Sequence, residues 1–246
     1  MRIGLLADLH ANREAVETCM TALEKAGCRH WVFLGDLVGY GADPGWVVDF
    51  VRARVDKGAV VVLGNHDEAV FGVLPEAMSA DTRQAIEWTR TQLDASQLEF
   101  LRGLPFQVEE EDRLYVHANA WAPARWAYVS NRLAAMQSIA ATAQWLTFCG
   151  HVHEPALYFA QGDLANHFEP RSGTAIPLSN HRRWLAIPGS CGQPRDHNPA
   201  ACCAWFDTDT RKLNCLRLPY DHDRAARKIA AAGLPGAFAA RLLSGV

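Results

Sequence analysis

The stretch Val60-Val61-Val62-Leu63-Gly64-Asn65-His66-Asp67 constrains this chain more than any other. Its run of apolar residues reads as a short buried strand, and Gly64 gives the backbone freedom to turn, so that an amide, an imidazole and a carboxylate sit beyond the strand's carboxyl end. Open α/β sheets keep their sites there. Alone, the triplet reads as a polar turn. Further apolar runs end the same way, however: Ile3 to Ala7 before Asp8 and His10, Trp31 to Leu34 before Gly35 and Asp36, Leu114 to Val116 before His117, and Trp145 to Cys149 before Gly150, His151 and His153. Strand ends that all carry metal-ligand residue types imply one shared site.

The spacing of apolar residues organises the rest. Asn12 is placed to cap a helix whose inner face carries Ala15, Val16, Cys19, Met20 and Leu23, ended by Gly27; a second helix runs from Trp46 to Val55 and stops at Gly58. The first third therefore reads β-α-β-α-β and predicts a parallel sheet with right-handed crossovers. From Asp67 to about Leu101 the pattern is helical, and the acidic run Glu109 to Asp112 reads as a solvated hairpin turn. After His153 the pattern is mainly β, with runs at 156–160, 167–169, 184–187, 201–207 and 212–218, which suggests a second sheet packed on the first. Helices over 221–246 are expected to form an appended cover on a single 1–246 domain, or to reach a neighbouring subunit of a homo-oligomer.

Composition excludes some classes of function. A net charge of -3 gives no broad nucleic-acid or membrane footprint, so phosphate binding must be local. The apolar run after Met1-Arg2 meets Asp8 too soon for a signal-peptide core, and the 7 cysteines form no C-x-x-C pair. They read as small buried hydrophobes, and a cytoplasmic location is expected.

Asp8-x-His10 and His151-x-His153 each place two ligands on one side of an extended segment if side chains alternate there. Asp36 offers a carboxylate able to bridge two cations, Asn65 a neutral oxygen, and His117 another imidazole. Such a mixed set suits two divalent transition-metal ions, Mn, Fe, Zn, Ni or Co, rather than Ca or Mg.

The ordered series D-x-H, G-D, G-N-H-D, H and G-H-x-H, from Asp8 to His153, resembles the calcineurin-like metallophosphoesterase superfamily. Gly39 to Pro44 and Pro188 to Asp196 resemble its small bacterial and archaeal phosphodiesterase-like branch. The resemblance implies an α/β fold, a four-layer αββα sandwich of two mixed β-sheets flanked by helices. It also implies that Asp8, His10, Asp36 and His153 hold one metal, and Asp36, Asn65, His117 and His151 the other. His66 would serve as the acid at the leaving oxygen, with Asp67 orienting it, and a metal-bound hydroxide would be the nucleophile. Tyr40 and Arg195 are candidate substrate contacts.

Tyr40 stands where the phosphoprotein phosphatases and diadenosine tetraphosphatases of the superfamily carry arginine, and Leu63 where the phosphoprotein group does. Bidentate arginine clamps suit a dianionic terminus, so their absence favours phosphodiesters, with a small phosphoester or nucleotide as substrate. His117 is followed by Ala118-Asn119 in place of the branch's Gly-Ser-Pro. The alternatives are a phosphomonoesterase or protein Ser/Thr phosphatase, and a non-catalytic metal-binding scaffold of the same fold. The segment from Trp121 to Trp126 reads as core filling rather than as a stacking surface for a base.

Overall fold

The computed structural model describes residues 1–74, 76 and 78–246. In chain order the strands are β1 (Arg2–Leu6), β2 (His30–Phe33), β3 (Val60–Val61), β4 (Gln107–Glu110), β5 (Arg113–Val116), β6 (Leu146–Phe148), β7 (Pro155–Gln161), β8 (Leu164–Phe168), β9 (Ile176–Pro177), β10 (Trp184–Pro188), β11 (Ala201–Asp207) and β12 (Lys212–Leu218). The helices are α1 (Arg13–Lys25), α2 (Pro44–Val55), α3 (Asn65–Ala69), α4 (Ala80–Gln92), α5 (Ala95–Arg102), α6 (Arg132–Ala140), α7 (His222–Ala231) and α8 (Gly236–Ser244).

Both sheets are six-stranded and mixed, in the orders β3-β2-β1-β11-β12-β9 and β4-β5-β6-β10-β7-β8. Alternation along each strand assigns its side chains to layers. Leu5, Leu34, Tyr115, Phe148, Ala186 and Phe206 meet between the sheets. Leu6 and Phe33 face the other way and pack with Val16 of α1 and Val47 of α2. On the far side Val116, Leu185 and Ile187 pack with Ile139 of α6. The result is the expected four-layer sandwich. Burying a side chain such as Leu5 or Phe148, both fully enclosed, contributes about 1.5–3 kcal/mol of transfer free energy.

Some expectations hold and others are corrected. β1, β2 and β3 are parallel as the first third predicts, and β11 pairs antiparallel with β1, so the first sheet is mixed as the resemblance implies. The β-rich second half accordingly divides between the sheets: β9, β11 and β12 complete the first, while β7, β8 and β10 belong to the second. The helical stretch after Asp67 breaks into α3, α4 and α5, with Asp94 capping α5 by accepting from the Gln97 amide. The acidic run is the expected solvent-facing hairpin turn, with the Glu111 side chain 70% exposed and that of Asp112 43%. Glu111 and Asp112 turn the β4–β5 hairpin, and each binds the buried Arg113 guanidinium at 2.8 Å.

Helices α7 and α8 cover the end of the molecule at which the parallel strands finish. Ile229, Phe238 and Leu242 pack with Tyr40 and Ala85, and Lys228 binds Glu14 and Asp43. All the cysteines are buried and unbridged. Among the described residues no helix is long and apolar enough to cross a membrane.

Candidate metal centre

The strand ends do converge, by a route the spacing did not give. Asp8, His10, Asp36, His151 and His153 all have φ between 45° and 69°, the left-handed region that costs non-glycine residues energy. Asp8 and His10 are thus brought together by a kink after β1 rather than by strand alternation. His151 and His153 do not share a side: His153 joins Asp8, His10 and Asp36, whereas His151 joins Asp36 and His117, with the ligand atoms of each group within 4.8 Å of one another. Asn65 Oδ1 lies 3.2 Å from His117 Nε2, at the second group.

Gly64 serves a purpose other than a turn. Its backbone is extended, and a Cβ there would overlap the Asp36 backbone nitrogen. Only glycine lets the two strand ends approach this closely. Gly192 is similar, since a Cβ would strike the Leu9 carbonyl; its amide instead donates to Asp8 O at 2.8 Å.

Each imidazole has one nitrogen fixed by a backbone carbonyl. His10 Nδ1 lies 3.1 Å from Val38 O, His117 Nδ1 2.7 Å from Leu34 O, His151 Nε2 2.9 Å from Trp126 O, and His153 Nδ1 2.6 Å from Gln193 O. A carbonyl only accepts, so these nitrogens carry the protons and, in the neutral rings, the inward nitrogens present lone pairs. Those inward atoms crowd: His10 Nε2 and His153 Nε2 are 3.2 Å apart, as are His117 Nε2 and His151 Nδ1. Lone pairs facing one another at hydrogen-bond distance are the donor set of a cation site, already oriented by outer-shell partners.

Asp36 joins the two groups. Its Oδ1 accepts from the His66 amide at 2.8 Å. Its Oδ2 is buried without a hydrogen-bond partner and lies 3.7 Å from His10 Nε2 and 3.4 Å from His117 Nε2. An unpaired buried carboxylate oxygen is costly unless a cation meets it. Two divalent cations fit this donor set, with Asp36 between them.

Burial pushes the His10 and His153 imidazoles down, and His151 to about 3, which keeps these rings neutral as ligands must be. Burial also opposes a proton on His117, but the Asp36 carboxylate overcomes it and lifts that ring to about 9. Burial raises Asp8 to about 7, partly offset by the charge of His117.

The chain belongs to the calcineurin-like phosphoesterase superfamily. The superfamily's domain matches residues 1–211. A protein of Methanocaldococcus jannaschii, itself uncharacterized, is 32% identical over 251 residues that cover 99% of this chain and 98% of that one. The solved structure of a metallophosphoesterase from Sphaerobacter thermophilus is 34% identical with a TM-score of 0.87, covering 100% of this chain and 99% of the other. A Pyrococcus horikoshii protein shares the fold at 17% identity and a TM-score of 0.76, with 100% and 98% covered. Superfamily members depend on a dimetal site, and the buried groups around Asp36 are the residues able to supply it.

The remaining sequence candidates surround this centre. His66 is buried, its Nδ1 unpartnered, with Tyr40 tilted against it at 4.4 Å between centroids. Burial lowers its pKa. Asp67 does not meet the His66 ring. Its Oδ1 accepts from the Leu37 and Val38 amides and its Oδ2 from Gly64, tying together the strand ends that carry Asp36 and Asn65. Arg195 lies with its guanidinium 5.7 Å from the Tyr40 ring centroid; its Nη2 donates to Gln193 Oε1 at 3.0 Å, and its Nε is buried without a partner.

Trp121 and Trp126 pack against the core as expected, but Trp126 also serves the centre. Its carbonyl fixes His151, its φ is 55°, and its indole Nε1 donates to Glu68 Oε2 at 2.9 Å. Two residues on, Tyr128 stacks on the His151 ring at 3.9 Å. The only signal was the density of aromatic residues after His117.

Proposed function

We propose that this chain is a dimetal phosphoesterase that hydrolyses phosphodiesters. The observation that carries the reading is the Asp36 carboxylate, buried and shared between two groups of oriented ligands. One group would be Asp8, His10, Asp36 and His153, the other Asp36, Asn65, His117 and His151. Mixed imidazole and carboxylate donors suit Mn, Fe, Zn, Ni or Co. When bound, two such ions supply a water of lowered pKa and neutralise charge on the phosphoryl group.

The chain's own residues supply the rest. His66 is assigned to the leaving oxygen, where a buried imidazole can hold and deliver a proton. Asp67 acts through the backbone, by keeping the Asp36 and Asn65 loops in register. Arg195, with a free Nε and tied to the Tyr40 ring, would meet one non-bridging phosphoryl oxygen. A lone guanidinium matches the single negative charge of a diester, and the second arginine that a dianionic monoester terminus would use is replaced by Tyr40. The unbridged buried cysteines fit work in a reducing cytoplasm.

The test is hydrolysis of bis-p-nitrophenyl phosphate against p-nitrophenyl phosphate by metal-stripped protein re-supplied with Mn, Ni, Co, Zn or Mg. Diester turnover that requires a transition metal supports the proposal. Monoester preference would replace it with a phosphatase, and binding of fewer than two ions without turnover would leave a scaffold.

A further inference from the structure

A cleft of about 550 Å³ opens beside the metal centre, walled by Tyr40, His66, Glu68, Trp126, Tyr128 and His151. A cleft of this size is within the roughly 300–1,000 Å³ of sites that enclose whole small molecules. It is far larger than a phosphoryl group needs. Because it shares Asn65, His66 and His151 with the surroundings of the centre, the cleft adjoins the place a phosphoryl group would take.

We propose that this cleft seats the organic group of the ester, and that this group is an uncharged, flat heterocycle bearing an N–H, of the nucleobase kind. The inference rests on the phosphodiesterase reading and names its substrate class. Tyr128 presents the stacking surface. One face of its ring covers His151 with an interplanar angle of 18°, while the residue lines the cleft and is 51% exposed. Aromatic faces of this kind hold bases of any sequence.

Glu68 supplies the polar contact. The Trp126 indole occupies its Oε2, and a carboxylate has further acceptor capacity for an amine on the ring edge. Among the described residues, no lysine or arginine lines the cleft. A second phosphate or an acidic peptide would therefore meet Glu68 with nothing to neutralise it. A quaternary ammonium head group is best held by several ring faces, whereas here the Trp126 N–H edge is turned onto Glu68 and one face of Tyr128 is taken by His151.

The experiment is calorimetric titration of the metal-loaded full chain with adenosine 5′-monophosphate and with ribose 5-phosphate, which differ only in the base. The base should tighten binding about tenfold or more, as stacking on an aromatic does. Tyr128→Ala should reduce that ratio to about twofold or less, and Tyr128→Phe should retain it. Equal affinity of the unaltered protein for the two ligands, with bis-p-nitrophenyl phosphate turnover intact, would overturn the cleft assignment alone. So would tighter binding of phosphocholine or of a phosphoserine peptide than of adenosine 5′-monophosphate. If neither phosphate binds and no aryl ester turns over, the phosphoesterase reading fails and this inference with it.

Discussion

Asp8, Asp36, His117 and His153 are at most 2% exposed, whereas Tyr128, stacked on His151 at 3.9 Å, is 51% exposed. The two walls of one site are thus built differently. The ligand wall is made of strand ends held by backbone contacts: Asp8 N donates to Gly35 O, His10 N to Asp36 O and Cys191 N to Ala7 O. Its donors are fixed before anything binds, as a metal site requires. In the cleft wall, the loop bearing Trp126 and Tyr128 reaches the centre through the Trp126 carbonyl. The difference separates chemistry from selection: substitutions in the first wall should abolish turnover, and substitutions in the second should change what is turned over.

The largest effect is expected at Asp36. Asp36→Asn removes the oxygen shared by both ligand groups, so affinity for both ions should fall by more than the roughly 10–100-fold that loss of an outer-shell partner costs. Elemental analysis after dialysis reads this directly. Retention of two ions per chain would mean that the two groups are independent sites.

His66 tests the division within the first wall, because it is buried there without belonging to either ligand group. His66→Ala should leave two ions per chain and lower diester turnover by about 10²–10⁴-fold, the usual worth of a positioned acid. Unchanged turnover would remove it from the mechanism.

Asp67 lies behind that wall. Asp67→Asn places an amide N–H₂ where the carboxylate accepts from Leu37, Val38 and Gly64. Donors then face donors, at a cost of about 1–3 kcal/mol in stability for the unpaired groups. The melting temperature should fall, and metal affinity with it, since Asp36 and Asn65 sit on the tethered loops. A variant that melts like the unaltered chain would show that the strand ends hold their register without this carboxylate.

The same contrast explains what could be read from sequence. The ligand wall was legible because each ligand follows an apolar run, and strand ends on one side of a sheet have nowhere else to point. The conformations were not legible. Nothing in the letters shows that Asp8 or His153 is left-handed, and the role of Gly64 is set by the approach of Asp36, which is distant in sequence. The division of the late strands between sheets was hidden for a similar reason: β11 pairs with β1 across the whole chain. Trp126 and Tyr128 could not be separated from core aromatics, since their part depends on lying beside His151.

The smallest effect is expected where the C-terminal cover meets the ligand wall. Lys228 reaches from α7 to Glu14, 3.0 Å away, and to Asp43, beyond which the loop carries Tyr40. Lys228 is 29% exposed, so solvent screens the pair, and Lys228→Ala should cost about 1 kcal/mol or less of stability. Glu14 keeps a partner in Arg224, 3.2 Å away, which limits the loss further. Phe238 still packs on Tyr40 in that variant, so metal content and diester turnover should stay within about twofold of the unaltered chain, less than loss of an outer-shell partner costs. A larger fall in turnover with unchanged melting would mean that the helices over 221–246 set the position of the Tyr40 loop, and would move the boundary between the two walls to include them.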